Sequence, residues 1–274
     1  FHRTTPGFDC VLGNPPWDMV QLDPQEFFSY KAPNVANAAN MSIRNKMIED
    51  LKQTNYALYS EYQNALYQTE AFQNLIHTDK RFETSGIGRI NLASLFIETS
   101  LMLMSTNGKT GLLTPSGLAT DSFTQKLFNK INKGYLASLY DFENKEALFP
   151  SIHRSYKFCL LTLGSGGWAD FAFFLTNTTQ LHDDRKHFQL STEEFDLINP
   201  NTHTCPVFRS KKDAELTKKI YRNVPVLIKE KTDTSEEINE WGIKFQLMFM
   251  MNTDSNLFRF EPASGSLPLY EAKM

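Results

Sequence analysis

Two adjacent prolines, Pro15 and Pro16, follow the short apolar run "FDCVLG" (8–13) with only Asn14 between them. Proline lacks the N–H that a sheet ladder needs, and it pushes the residue before it out of helical geometry. The run is therefore expected to form a compact, buried strand that stops at Asn14. "NPPW" (14–17) should then be a rigid, extended corner at its end. Such a corner displays one carboxamide, one or two free backbone carbonyls and the flat face of Trp17. Ligands of open α/β sheets sit at strand ends of this kind, so the corner is the first candidate site.

The rest of the chain fits such a sheet. Residues 18–36 read as loop, punctuated by Pro24 and Pro33, and about 36–80 as a helical insertion with Leu51, Leu58, Tyr62 and Leu66 at threes and fours. A strongly apolar helix is expected over 90–106, closed by Asn107-Gly108, and then a strand over 109–117. Another helix (120–134) has Thr120 or Asp121 as its cap and Phe123, Leu127, Phe128 and Ile131 on one face. Strands are expected at 135–142, 156–164 and 168–176, the last two flanking Gly164-Ser165-Gly166-Gly167 as a hairpin. Alternating strands and helices that end in an antiparallel pair describe one half of an open α/β sheet. Beyond about residue 185 the texture turns polar, with a basic helix at 210–225 and strand-like runs after it. The expected organisation is 1–185 and 186–274.

Other features narrow the function. The 274 residues suffice for one large core, or one core plus a small unit. A net charge of −3 argues against a non-specific nucleic-acid coat, though not against one local grip. No apolar run is long enough to cross a bilayer, and the start of the chain lacks the pattern of a secretion signal. Cys10, Cys159 and Cys205 fit neither a disulfide framework nor a zinc spacing, which points to a reducing cytoplasm and no metal. His182, His187 and His203 lack metal-ligand spacing. Gly-x-Gly at 86–88 has no strand before it and the cluster at 164–167 no helix after it, so both read as turns. Ser116 lacks the Gly-x-Ser-x-Gly elbow of a nucleophile. Phe1 as first residue and "PLYEAKM" as last suggest a piece of a longer protein.

The stretch "FDCVLGNPPW" resembles the catalytic signature of the amino-methyltransferases, most closely the N6-adenine DNA methyltransferases of bacterial type II (type IIG) restriction-modification or phage-defence systems. "GRINLASLFIETSLMLMSTNGKTGLLTPSG" and "FPSIHRSYKFCLLTL" resemble that family's next segments. The resemblance implies a Rossmann-like half-sheet that transfers a methyl group from S-adenosylmethionine to N6 of a flipped adenine in double-stranded DNA. An aryl amine is a poor nucleophile because its lone pair is delocalised. Acceptors on either side, the Asn14 side-chain oxygen and the Pro15 carbonyl, with Pro16 fixing the corner, would draw it towards a reactive geometry. Trp17, with Tyr156 or Phe158, would stack on the base, a contact worth about 1–3 kcal/mol. Asn14, Asn91 and Phe96 would face the cofactor, Phe96 against its adenine ring. In this family the Gly-rich cofactor loop precedes the Asn-Pro-Pro motif. It would therefore lie in the remainder of the polypeptide, and this chain alone should bind the cofactor weakly. Residues 186–274 would be a connector leading to a target-recognition domain.

The basic helix places Lys211, Lys218 and Arg222 on one face, suited either to DNA phosphates or to plain solvation. Three other readings stay open: a protein glutamine methyltransferase, a ribosomal RNA methylase, and a non-catalytic DNA-binding piece.

Overall fold

The computed structural model describes residues 6–165, 168–231, 235–247, 249–250, 254–259, 261 and 264–267. Phe1, Gly166, Gly167 and the final "PLYEAKM" lie outside the described residues. The chain divides into two compact units, Phe1–Val226 and Leu227–Met274.

In the first unit β1 (Phe8–Gly13) leads through α1 (Pro24–Phe28), α2 (Pro33–Ala36), α3 (Met41–Thr54) and α4 (Tyr56–Thr78) to α5 (Leu92–Leu103). Then come β2 (Met104–Pro115), α6 (Gly117–Thr120), α7 (Gln125–Asn132), β3 (Leu136–Glu143), β4 (Lys157–Gly164), β5 (Ala169–Leu175), β6 (Phe188–Leu190), α8 (Thr192–Ile198) and α9 (Lys211–Asn223). Among the described residues the strands form one mixed sheet in the order β1-β2-β4-β3-β5-β6. β1 runs parallel to β2 and β3 parallel to β5, while β4 is antiparallel to both β2 and β3. This is the expected α/β architecture.

Several local expectations are corrected. β4 and β5 do not form a hairpin with each other. β2 and β3 occupy both edges of β4, so β5 pairs on the far side of β3, and the antiparallel pair at the sheet edge is β5–β6. β1 is not buried: it is the opposite edge strand, and Leu12 is 84% exposed. The apolar helix ends at Leu103, and Asn107-Gly108 belong to β2. A Cβ on Gly108 would come within 2.5 Å of the Phe8 carbonyl oxygen, so glycine is required there by close strand approach. The expected loop at 18–36 holds α1, N-capped by Asp23, and α2. Asp121 makes no side-chain cap, and Phe123 is exposed while Leu127, Phe128 and Ile131 are buried. At 86–88 the turn reading agrees with Gly88, whose φ is +62°.

One face of the sheet carries the largest core. Leu127, Phe128 and Ile131 of α7 pack there with Leu139, Leu161, Phe171, Phe195 of α8 and Ala214 of α9. Each fully buried Phe or Leu contributes about 1.5–3 kcal/mol. The segment after residue 185 thus shares the core of the first unit. On the other face Phe142, Phe158, Ala172 and Leu175 pack with Trp17 and Leu113. The helical insertion has its own core, with Phe28, Val35, Ile48, Leu58 and Tyr62 buried together. In the second unit the strand-like runs do not form strands among the described residues. A bridge joins Lys229 to Ile238, and Phe249 meets Phe258 at 5.6 Å.

Candidate active site

The corner is held in place by residues on its C-terminal side. After Trp17 the chain zips onto the entry of α5: Leu92 N–H donates to the Asp18 carbonyl at 3.0 Å, and Val20 N–H to the Ile90 carbonyl at 2.9 Å. Asn91 clamps both sides of this junction. Its Oδ1 caps α5 by accepting from Ala93 N–H at 2.8 Å, and its Nδ2 donates to the Trp17 carbonyl at 2.9 Å. The Asn91 carboxamide is therefore engaged at both ends, tying the start of α5 to the corner. Trp17 is half-buried, and its Nε1–H donates to the Leu113 carbonyl at 3.3 Å.

Asn14 behaves differently. It is exposed, and no hydrogen bond to its side chain is present among the described residues. The Pro15 carbonyl likewise takes no donor from the described residues, although Pro15 itself is buried. Two acceptors thus remain open on one rigid corner. Both residues line a cleft of about 620 Å³ together with Trp17, Leu113, Tyr156 and Phe158, a volume inside the usual range of small-ligand sites.

The opposite wall is the loop between β3 and β4, whose stretch 149–163 the sequence reading picked out by resemblance while singling out only Tyr156 and Phe158. Asn144 organises it from a fully buried position. Its Nδ2 donates to the carbonyls of Phe149 (3.0 Å) and Ile152 (2.9 Å), and its Oδ1 accepts from Phe149 N–H (2.9 Å). That arrangement presents Phe149, Ser151, Ile152 and His153 to the cleft. No short-range pattern marks Asn144; the signal was only a polar residue where β3 ends. The two expected stacking residues separate in role. Phe158 is 5% exposed, parallel to Phe142 at 5.3 Å and edge-on to Phe149 at 5.1 Å, so it forms the floor. Tyr156 is 56% exposed and has a free face.

On the α5 side, Phe96 is 48% exposed while Leu95 and Ile97 beside it are buried. Its ring stands half clear of the core. Further along α5, Glu98 is buried and receives Lys130 Nζ (2.7 Å), Thr84 Oγ1 (2.8 Å), and Ser85 Oγ (2.6 Å) and N–H (3.0 Å). Burial pushes its carboxyl up, but these donors outweigh that and hold it below the usual range. Ser116 Oγ donates to the buried Asp141, whose carboxyl is pushed up by burial.

The basic helix does not offer its expected face. Lys218 is 5% exposed, with its ammonium on Glu215 (2.7 Å), the Gln189 carbonyl (3.2 Å) and Glu194 (3.3 Å). Arg222 meets the other oxygen of Glu194 at 2.8 Å. Glu194 also closes the capping box of α8 with Ser191. Of the three residues expected at phosphate, only Lys211 has an ammonium outside this network. Arg209 is exposed and stacked at 4.5 Å on Phe174, which has the left-handed φ of 59°. Among the described residues no group of three or more His, Cys, Asp or Glu could hold a metal ion, and no helix is long and apolar enough to cross a membrane.

No family model matches the chain, and a comparison with curated proteins finds no match. Among solved structures the chain is similar to the type I restriction-modification system methyltransferase subunit from Streptococcus thermophilus, at 11% identity and a TM-score of 0.37, covering 49% of this chain and 35% of that one. It is also similar to the DrdV–DNA complex (10% identity, TM-score 0.34, 66% of this chain and 17% of that one). A third is the ATP-dependent type ISP restriction-modification enzyme LlaBIII bound to DNA (10% identity, TM-score 0.32, 61% and 10%). The chain spans well under half the length of each.

Proposed function

We propose that the cleft at the Asn14 corner holds a flipped adenine of double-stranded DNA for methylation at N6, with S-adenosylmethionine as methyl donor. The observation that carries this reading is the pair of open acceptors, the Asn14 carboxamide oxygen and the Pro15 carbonyl, on a cleft walled by aromatic rings. An exocyclic amine has two N–H donors, and two acceptors would satisfy both while drawing the nitrogen lone pair out of conjugation. The prolines restrict the backbone that carries the Pro15 carbonyl, which lowers the reorganisation needed as positive charge develops on the nitrogen. Trp17 and Tyr156 offer flat faces, which suit a heterocycle better than the narrow side-chain amide of a protein glutamine.

The cofactor supplies the methyl group. On this chain Phe96 would lie against its adenine ring, while Asn91 serves by holding the corner that the amine approaches. Lys211 and Arg209, which remain outside internal ion pairs, are the residues we assign to DNA phosphate. Residues 186–274 are proposed to lead to a target-recognition domain, with the cofactor loop in the remainder of the polypeptide.

The test is Asn14→Ala in the full-length protein, with methylated nucleosides of the digested DNA quantified by mass spectrometry. Loss of N6-methyladenine with DNA binding intact supports the reading. Undiminished N6-methyladenine sinks it, and methylated RNA or glutamine as the sole product would replace it.

A further inference from the structure

His153 stands in the cleft wall with a fixed hydrogen-bonding sense. Its Nδ1 lies 3.2 Å from the Ser155 backbone N–H, which can only donate, and 2.7 Å from Ser155 Oγ. Nδ1 is therefore the acceptor, and the neutral ring carries its proton on Nε2. The ring is exposed on the cleft and makes no other side-chain hydrogen bond among the described residues. Its backbone is also held: Tyr156 N–H donates to the His153 carbonyl at 3.1 Å, and Asn144 N–H to the Tyr156 carbonyl at 3.0 Å. The cleft thus presents two acceptors on the Asn14–Pro15 corner and one imposed donor on the facing loop.

Resting on the reading of the cleft as an adenine site, we infer that His153 is a specificity residue whose Nε2–H donates to the ring nitrogen beside the amine. Adenine has an acceptor nitrogen flanking its amine on both edges, N1 bonded to the carbon that bears N6 and N7 one carbon removed, so an amine-plus-acceptor edge complements two acceptors and a donor. Ser155 acts through His153 by fixing the tautomer. A purine lacking that ring nitrogen leaves the imidazole N–H without a partner, and desolvating a donor that finds none is unfavourable.

The experiment titrates the full-length protein with adenosine, 7-deazaadenosine and 1-deazaadenosine, following the Asn14 side-chain amide and His153 ring signals by NMR. The wild type is expected to bind one deaza analogue about fivefold more weakly than adenosine, the size of one ordinary hydrogen bond. His153→Phe should erase that preference, and His153→Gln, which keeps an N–H donor, should restore part of it. Equal binding of all three nucleosides by the wild type overturns the inference, as does a preference that survives His153→Phe. If adenosine moves no signal in the cleft, the adenine reading itself falls, an outcome distinct from binding without preference.

Discussion

The Asn14 corner and the Glu194–Lys218–Arg222 cluster are both polar groups set against the sheet, yet one is open and the other closed. At the closed cluster each charge meets another: Lys218 lies between Glu194 and Glu215, and Arg222 takes the remaining oxygen of Glu194. At the corner a carboxamide and a carbonyl face a cleft with no donor among the described residues. As sequence, the six basic residues from Arg209 to Arg222 suited either DNA phosphates or plain solvation, while the corner was the first candidate site. What separates the two is whether the polar valence is completed inside the protein. Groups that are complete stabilise the fold; groups left incomplete are where binding energy can still be gained.

Breaking the closed cluster should have the largest effect on stability. Lys218→Met removes one of the two cations on the buried Glu194 and leaves Arg222 on its other oxygen, expected to cost about 1–3 kcal/mol. Calorimetry should show a lowered Tm with the salt dependence of DNA binding unchanged; an unchanged Tm would mean the cluster is not closed. Asn14→Ala should do the reverse. Methyl transfer is expected to fall by about 10²–10³, as when a preorganised catalytic hydrogen-bonding group is removed, while stability stays within about 0.5 kcal/mol. A smaller effect is expected for Tyr156→Ala, which should weaken base binding by about 1–3 kcal/mol, read by fluorescence of 2-aminopurine at the target position.

The smallest test concerns Glu98, a closed group on α5. Its carboxyl lies below its ordinary value when folded, so the unfolded chain binds the proton more readily. The stabilisation is complete above the unfolded value and is lost as pH falls through the folded one. Glu98→Gln should flatten the acid limb of the stability curve below about pH 4.5. An identical limb in the variant would remove Glu98 from that role.

Much of the sheet was legible because strands announce themselves locally. "FDCVLG", "YLASLYDF" and "KFCLLTLG" each fall within or overlap the observed β1, β3 and β4. Pairing was not legible. The glycines at 164–167 permit a tight turn, but whether β4 has an edge to offer depends on β2 and β3, whose partner residues lie tens of positions away. Exposure failed for the same reason at β1, whose apolar residues would be buried in a central strand. At the site the corner was legible from its prolines. Phe149 and His153 were not, because the loop that carries them is folded by hydrogen bonds from a buried Asn144 to the backbone of Phe149 and Ile152.

The double grip of Asn91 sets a trap for interpretation. One small amide ties off the start of α5 and steadies the carbonyl next to the corner. Replacing it would fray a helix and misaim the Asn14 oxygen in a single stroke. An inactive Asn91 variant would then pass for a ligand-binding defect, when the fault lies in the carpentry behind the corner.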